Sequence, residues 1–287
     1  MDLSPEVNAW FRANQRDLPW RRAGFGAWGI LVSEMMLQQT PVSRVIPRLK
    51  EWLDRWPTPA DLAAAPAGDA VRAWQRLGYP RRALALHTSA TLIVERHGGI
   101  VPRSVPDLLA LPGVGDYTAR AVAVFAYGDR HPVVDTNVRR VVARAVHGGA
   151  VASPASTRRN LDAMEVLLPE NDEEARTFNA AMMELGALVC TARAPRCGVC
   201  PIMDRCRWAT LGYPPYSGTR ALPRKPYEGS DRQVRGLILA QLRASDIPVS
   251  QGDLERNGLD PVQLQRALAG LMIDGLTIAV DGGFSLP

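Results

Sequence analysis

Lysine is nearly absent from this 287-residue chain: Lys50 and Lys225 are the only two among 34 basic residues. Only these two side chains could therefore supply a lysine amine as a nucleophile. The sequence also lacks any run of 18 apolar residues, so no transmembrane helix is predicted. Its first fifteen residues, MDLSPEVNAWFRANQ, are too polar for a signal peptide. We expect a cytoplasmic protein with no membrane partner.

Cysteine is sparse as well, and its placement is informative. The four cysteines, spaced C-x6-C-x2-C-x5-C, are Cys190, Cys197, Cys200 and Cys206. Disulfides are disfavoured in a cytoplasmic chain, so four thiols this close predict a metal centre. Zinc sites usually show two short C-x2-C pairs and this segment has one. Four cysteines also ligate [4Fe–4S] clusters, so both kinds of centre stay open on spacing alone.

The remaining composition is that of a globular protein with a basic surface. Hydrophobic residues make up 46% of the chain, and the length allows two or three domains with cores of their own. The net charge is +5 and the isoelectric point is about 9.3. Such a balance favours a polyanionic partner without requiring one.

A glycine turn and a helix occupy the stretch from Leu111 to Val138. Pro112 ends any preceding helix, and Gly113 and Gly115 permit positive φ while leaving the approach surface bare. An amphipathic helix that contains Tyr117 follows. A turn that leads into a helix start points free N–H groups in one direction and suits a phosphate. An ordinary turn with glycines for geometry remains the alternative.

Two isolated acids are candidates for chemistry. Asp135 precedes a helix that begins at Thr136, so it is either an N-cap, or an ionised carboxylate held by N–H donors that stabilises positive charge on a sugar; the two roles are compatible. Glu34 lies in the apolar helix predicted over residues 27–39. It either faces solvent or is desolvated, in which case its pKa rises and it holds a proton near neutral pH.

These motifs together resemble the MutY-type adenine DNA glycosylases, of the helix-hairpin-helix base-excision superfamily, and most closely their short actinobacterial form. The resemblance covers residues 5 to about 208. The segments that carry it are the Leu111–Val138 stretch, Leu-Pro-Trp-Arg at 18–21, SEMMLQQT at 33–40, Leu-Gly-Tyr at 77–79, AMMELGA at 181–187 and the four cysteines. At residue 80 the chain has proline where many members of the family have a second tyrosine.

The resemblance implies a mainly α, two-lobed fold. Residues 1–22 and 132–209 are expected to form an iron–sulfur cluster lobe, and residues 23–131 a six-helix barrel lobe with the helix-hairpin-helix. A linker is predicted over residues 210–230, which are rich in proline, glycine and serine. Three short helices and a hairpin predict a winged-helix-like domain over residues 231–287. The larger family members carry a longer, mostly β domain there that reads 8-oxoguanine.

The resemblance also assigns the chemistry. It implies hydrolysis of the N-glycosidic bond of adenine mispaired with 8-oxoguanine or guanine, with Glu34 as general acid and Asp135 as the charged carboxylate. Tyr117 and Asn137 would hydrogen-bond around the sugar and Asp135. The related lyases have lysine at position 117, so the tyrosine predicts a monofunctional enzyme. The cysteines would hold a structural [4Fe–4S] cluster.

The DNA contacts are expected by the same resemblance. Tyr79 would wedge between bases beside 8-oxoguanine, in the way that aromatic side chains stack on unstacked bases; a half-buried tyrosine at a turn is the alternative. Arginines 139, 140 and 144 lie along one helix and either touch phosphates or face solvent. The other predicted substrate and DNA contacts are Trp20, Arg21, Leu37, Gln39, Gly113, Gly115 and Glu184.

Three other functions remain open on the sequence. One is a thymine or uracil mismatch glycosylase of the same superfamily, which also has tyrosine at the hairpin. The others are a non-catalytic iron–sulfur DNA-binding protein and a zinc-binding structural module. The expected partner is double-stranded DNA that contains an adenine mispair, bound by a monomeric, nucleoid-associated protein.

Overall fold

The structure is a computed structural model that describes residues 2–152, 157–216, 227–256 and 259–287. In these ranges the chain is mainly helical, as the resemblance predicted. The α-helices are α1 (Ser4–Asn14), α2 (Ala27–Leu37), α3 (Val42–Arg55), α4 (Pro59–Ala64), α5 (Ala67–Trp74), α6 (Arg81–His97), α7 (Val105–Leu109), α8 (Asp116–Tyr127), α9 (Thr136–Ala145), α10 (Thr157–Glu165), α11 (Asp172–Leu188), α12 (Arg207–Thr210), α13 (Asp231–Ala244), α14 (Gln251–Glu255) and α15 (Pro261–Ile273).

Short 3-10 turns and one hairpin complete the described elements. The 3-10 turns are Pro19–Arg21, Cys197–Val199 and Met203–Arg205. Strands β1 (Ile278–Val280) and β2 (Gly283–Ser285) pair antiparallel, and Ile278 lies opposite Ser285. No helix of the described residues combines the length and the apolar character needed to cross a membrane.

The chain divides into two compact units. The first comprises Met1–Ile30, Arg103–Ala110 and Val114–Arg220, and the second Leu31–Pro102, Leu111–Gly113 and Ala221–Pro287. The predicted lobe boundaries stay a prediction. Residues 217–226 of the predicted linker lie outside the described residues.

The first unit is built around α11. One apolar core joins α1, α9, α10 and α11, with Val7, Val141 and Phe178 among its fully buried members. Cys190, Cys200 and Cys206 of the cysteine segment, residues 190–206, pack against this core, and Ile202 of the same segment is a buried member of it. The cysteine segment is therefore continuous with the hydrophobic interior of its unit.

Three tryptophans lie in the interior of the second unit. The ring of Trp52 meets Trp56 at 4.7 Å and Trp74 at 5.6 Å between centroids, both edge-to-face. Such pairs add to the stabilisation that burial alone provides. Helices α4, α5 and α6 pack together beside them.

The C-terminal residues of the second unit form the predicted three helices and a hairpin. Helix α13 packs on α15, and Val249 pairs with Phe284 across an isolated bridge next to the hairpin. This segment contacts α5 directly: the Arg243 guanidinium donates to the Val71 carbonyl at 3.0 Å, and Arg72 donates to the Ser245 carbonyl at 3.1 Å.

Candidate active site

Asp135 is the N-cap of α9, as its position in the sequence predicted. Its backbone is extended, and one carboxylate oxygen accepts a 2.7 Å hydrogen bond from the Val138 N–H. The second oxygen accepts from the Asn137 side-chain amide, also at 2.7 Å. Both oxygens are therefore held, which fixes the orientation of the carboxylate.

A guanidinium continues this network away from Asp135. Arg140, one turn along α9, donates to the Asn137 amide oxygen at 2.8 Å. The same side chain donates to the Gly186 carbonyl and to the Cys190 carbonyl, both at 2.6 Å. An unbroken set of hydrogen bonds thus links the candidate carboxylate to the backbone of the first cysteine.

Burial acts on Asp135 against the effect of its capping hydrogen bonds. The sequence argument held that N–H donors keep this carboxylate ionised, but burial raises its pKa above the ordinary value. The hydrogen bonds from Val138 and Asn137 and the charge of Arg140 oppose that rise without cancelling it. Desolvation outweighs capping here because the carboxylate is half-buried and has lost part of its contact with water.

Close helix packing holds Asn137 in place. A Cβ on Gly186 of α11 would lie 2.6 Å from the Asn137 Cβ and 2.9 Å from its carbonyl oxygen. Such distances are not tolerated between carbon atoms, so only glycine permits α11 to approach the start of α9 this closely.

Glu34 is buried in α2, within the second unit. Only 4% of its surface is exposed, and its neighbours Leu31, Val32, Met35 and Met36 are fully or almost fully buried. This rejects the solvent-facing alternative. The side chain is therefore withdrawn from water, as the desolvated alternative required.

The glycine turn has the predicted form at one of its two glycines. Gly113 adopts φ +77°, and a Cβ there would lie 2.9 Å from both Ala85 and Met35. Gly115 does not use the positive φ that glycine permits: its backbone is extended at φ −102° as the N-cap of α8. Gly115 has no atom near its missing side chain, so its surface is open.

Tyr117 lies in the first turn of α8 and packs against the small apolar cluster formed by Ala121, Val124 and Val133. It is partly exposed. The cluster fixes the ring from one side and leaves the other side accessible. Tyr117 and Asp135 belong to the same unit, whereas Glu34 belongs to the other.

Glu184 forms a buried ion pair that sequence reasoning missed. Arg16 donates to it from its backbone N–H, Nε and Nη2 at 2.6–2.9 Å, and Arg21 from both terminal nitrogens at 3.0–3.1 Å. Burial raises the pKa of Glu184, but the hydrogen bonds from the two arginines overcome this and lower the pKa to about 2. Glu184 thereby holds the 3-10 turn that carries Trp20, which is half-buried.

Three predicted DNA contacts lie at the surface of the second unit. Tyr79 is 56% exposed, Gln39 is exposed and Leu37 is partly exposed. Tyr79 and Gln39 both adopt left-handed backbone conformations, with φ +48° and +56°. Tyr79 is therefore more exposed than the half-buried alternative held, and its role as a wedge stays a prediction.

The cysteines of the predicted centre line one cavity of the first unit. All four border about 310 Å³ of empty space, part of it open to solvent, together with the apolar residues Val189, Met203 and Trp208. No three metal-binding side chains of the described residues are arranged around a single ion. Thiols spread around an apolar cavity suit a polynuclear cluster, which is wider than one ion.

Arg144 faces this cavity rather than solvent. It donates to the Cys190 sulfur at 3.3 Å and to the Thr191 carbonyl at 2.7 Å, and it stacks on Trp208. Arg140 likewise donates hydrogen bonds to the carbonyl groups of Gly186 and Cys190. Arg144 is 4% exposed, so the solvent-facing and phosphate-binding alternatives are wrong for it; both stay open for Arg140, which is partly exposed.

Two family models match the chain. Residues 32–164 match the HhH-GPD superfamily of base excision DNA repair proteins, and residues 190–206 match the iron–sulfur binding domain of endonuclease III. The adenine DNA glycosylase of Mycolicibacterium smegmatis is 56% identical over all of this chain and 97% of its own. The chain belongs to the adenine DNA glycosylase family of this superfamily.

Other similar proteins include a second adenine DNA glycosylase and a thymine-DNA glycosylase of known structure. The adenine DNA glycosylase of Mycobacterium tuberculosis is 54% identical over 97% of this chain and 91% of its own. The solved structure of a thermostable thymine-DNA glycosylase has a TM-score of 0.66, at 27% identity, over 72% of this chain and 95% of that one. The predicted family, fold class and [4Fe–4S]-binding domain are confirmed.

Proposed function

We propose that the protein is a monofunctional adenine DNA glycosylase that hydrolyses the N-glycosidic bond of adenine mispaired with 8-oxoguanine or guanine. The observation that carries the proposal is the fully held carboxylate of Asp135, within the region that matches the glycosylase superfamily. A carboxylate whose two oxygens are fixed is preorganised to stabilise positive charge that develops nearby.

The reaction divides between two acids. Glu34 donates its proton to N7 of the extruded adenine, and the C1′–N9 bond breaks with its electron pair leaving on the base. Asp135, ionised, stabilises the positively charged sugar. Water then adds to C1′ and its proton returns to Glu34, which leaves free adenine and an abasic site. Two carboxyl groups in different protonation states are the usual arrangement of glycosidases.

Strand cleavage is not part of this proposal. An amine nucleophile would have to come from Lys50 or Lys225, whereas position 117 is tyrosine. Tyr117 and Asn137 serve to position Asp135 and the sugar. The proposed DNA contacts are Trp20, Arg21, Leu37, Gln39, Tyr79, Gly113 and Gly115. The protein is proposed to bind DNA as a monomer.

The four cysteines would hold the [4Fe–4S] cluster, which supplies a structural cross-link between the ends of the cysteine segment. Arg144 and Arg140 hold the first of these residues from the side of α9. Glu184 fixes the turn that carries Trp20 and Arg21 through its ion pairs with Arg16 and Arg21.

A single-turnover assay on four duplexes tests the proposal. Adenine is placed opposite 8-oxoguanine, guanine, cytosine or thymine, and free base and strand breaks are measured separately. We expect adenine release from the first two duplexes and breaks only after alkali. Efficient nicking without alkali would contradict the monofunctional assignment.

Thymine release is the second candidate, favoured by the fold shared with a thymine-DNA glycosylase. A duplex with thymine opposite guanine, measured beside adenine opposite 8-oxoguanine, separates the two. The adenine proposal expects release from the second duplex alone.

A further inference from the structure

Among the described residues of the second unit, Arg82 has the side chain that donates the most hydrogen bonds. It is 9% exposed and lies at the start of α6. One terminal nitrogen donates to the carbonyls of Met35, Met36 and Gln38 at 2.8, 3.2 and 2.5 Å. The other donates to the Thr40 hydroxyl at 3.1 Å and to the Gly78 carbonyl at 3.0 Å, with a longer contact of 3.5 Å to Leu77.

These acceptors belong to two separate segments. The Gln39 segment, residues 35–40, contains the end of α2, whose last carbonyl groups lack partners within the helix. The Tyr79 segment, residues 77–80, is the turn before α6. A cation at a helix C-terminus is also favoured by the helix dipole. Arg82 therefore satisfies the free carbonyl groups of the Gln39 segment and links them by hydrogen bonds to the Tyr79 segment.

Each segment contains one exposed residue whose backbone adopts an unfavourable conformation. Gln39 and Tyr79 both have positive φ, which residues other than glycine adopt rarely and only where the surroundings impose it. The guanidinium of Arg82 holds carbonyl groups adjacent in sequence to both residues. It also lies 5.5 Å from the centre of the Tyr79 ring.

We propose that Arg82 is a positioning residue that fixes Gln39 and Tyr79 as one rigid probe of the mispaired duplex. The inference rests on the proposed function, because it takes these two exposed side chains as DNA contacts. Arg82 itself touches neither substrate nor reacting atoms. It acts by holding both segments in the conformation that enters DNA.

Only arginine can make this connection. Its planar fork presents two terminal nitrogens to different acceptors at the same time, whereas lysine offers one small ammonium group. The stacking of the Arg82 guanidinium on Trp74, at 5.2 Å, fixes the plane of the fork. Substitution by lysine keeps the charge and releases one of the two segments.

The test uses the full-length, cluster-containing protein and Arg82→Lys. The duplex carries 2′-fluoro-2′-deoxyadenosine, which resists hydrolysis, opposite 8-oxoguanine, with fluorescent 2-aminopurine beside the 8-oxoguanine. Wild-type protein is expected to raise the fluorescence, because an inserted Tyr79 unstacks the probe. Arg82→Lys is expected to abolish most of the rise and to bind the mispair about tenfold more weakly. Its affinity for a fully paired duplex is expected to stay within twofold of wild type.

Arg243→Lys is the matched control. Arg243 is a second arginine of the same unit whose pKa is lowered by burial to about 10, as is that of Arg82. It hydrogen-bonds the Val71 carbonyl, away from both segments. We expect Arg243→Lys to lower the melting temperature as much as Arg82→Lys does and to keep the fluorescence rise. Equal loss of the rise in both variants would overturn the inference.

Thr40 gives a milder, independent test in case Arg82→Lys does not fold. The Thr40 hydroxyl accepts from Arg82 and donates to the Leu77 carbonyl at 3.0 Å, so it is the second bridge between the segments. Thr40→Val should weaken mispair binding and reduce the fluorescence rise, and Thr40→Ser should preserve both. Equal behaviour of the two variants would reject the inference.

The outcomes also separate this inference from the proposed function. If wild-type protein releases no adenine from the same duplex with ordinary deoxyadenosine, the proposed function fails. If Tyr79→Ala leaves the fluorescence rise intact, the proposed DNA contact fails. If wild-type protein is active, Tyr79→Ala removes the rise and Arg82→Lys retains it, only the role of Arg82 is rejected.

Discussion

The Asp135 carboxylate is held firmly by hydrogen bonds in surroundings that disfavour its charged form. Its two oxygens are held by Val138 and Asn137, yet burial raises its pKa. An acid whose pKa is raised in the folded state binds its proton more tightly than in the unfolded chain. The folded protein therefore gains stability, relative to a variant without this acid, as the pH falls through that pKa.

Asp135→Asn should reveal this linkage. The free energy of unfolding of wild type minus that of the variant is expected to increase as the pH is lowered from 7.5 to 4.5, by at most about 1.4 kcal/mol per pH unit. Urea unfolding at several pH values measures it. A difference that decreases toward low pH would mean that the pKa of Asp135 is lowered, contrary to the structure.

Glu184 has the opposite behaviour because arginines surround it. Its pKa is lowered to about 2, so its contribution is complete above the ordinary glutamate pKa and is lost as the pH falls toward 2. Glu184→Gln leaves two arginines without their buried anion. We expect a loss of about 2–4 kcal/mol at pH 7, which shrinks below pH 4.5.

Glu173→Gln is the matched control for Glu184→Gln. Glu173 lies on the same helix, α11, with its side chain exposed. Its substitution should change the free energy of unfolding by less than about 0.5 kcal/mol. Equal effects of the two substitutions would show that the buried ion pair contributes little.

At the scale of elements, the approach of α11 to α9 depends on Gly186. Alanine in a helix interior normally stabilises by about 0.5–1 kcal/mol relative to glycine. At position 186 the added Cβ would collide with Asn137, so we expect Gly186→Ala to destabilise the protein and to displace Asn137 from Asp135. Thermal unfolding and single-turnover adenine release measure the two effects.

Gly252→Ala is the control for this substitution. Gly252 lies in α14, and a Cβ there would meet only the Ser250 hydroxyl at 3.9 Å, an ordinary contact. Its substitution should be neutral or slightly stabilising and should leave the rate unchanged. A normal rate in Gly186→Ala would argue against a positioning role for Asn137.

Elements were easier to predict from the sequence than the partners of their side chains. The helix start at Asp135 and the glycine turn follow from local rules on capping and proline. The inward orientation of Arg140 and Arg144 does not, because their acceptors are carbonyl groups some 46–50 residues later. The burial of Glu34 also depends on packing around α2, which local sequence leaves undecided.

For the whole molecule, the C-terminal segment contributes to the second unit. Residues 231–287 contain five arginines and seven acidic residues, a net charge of −2, whereas the whole chain carries +5. Arg235, Arg256 and Arg266 each pair with an aspartate of this segment. A segment with net negative charge is repelled by the phosphates of DNA. We therefore expect this segment to stabilise the second unit by packing on it, and not to bind DNA.

Arg72→Ala tests this role. Arg72 of α5 donates to the Arg243 and Ser245 carbonyls, so its loss should destabilise the protein by about 1–3 kcal/mol. Binding to a fully paired duplex should stay within twofold of wild type. The exposed Arg76 provides the control, as Arg76→Ala should leave the stability nearly unchanged. Weaker DNA binding by Arg72→Ala at unchanged stability would instead indicate a DNA-reading segment.

The central claim is that one acid acts with its proton and another with its charge on the same nucleotide. Single-turnover adenine release from adenine opposite 8-oxoguanine, measured from pH 4.5 to 9 for wild type, Glu34→Gln and Asp135→Asn, tests it most directly. We predict that the wild-type rate falls at both ends of the range, and that each variant is at least about 100-fold slower at pH 7. A rate for either variant within threefold of wild type across this range would contradict the account.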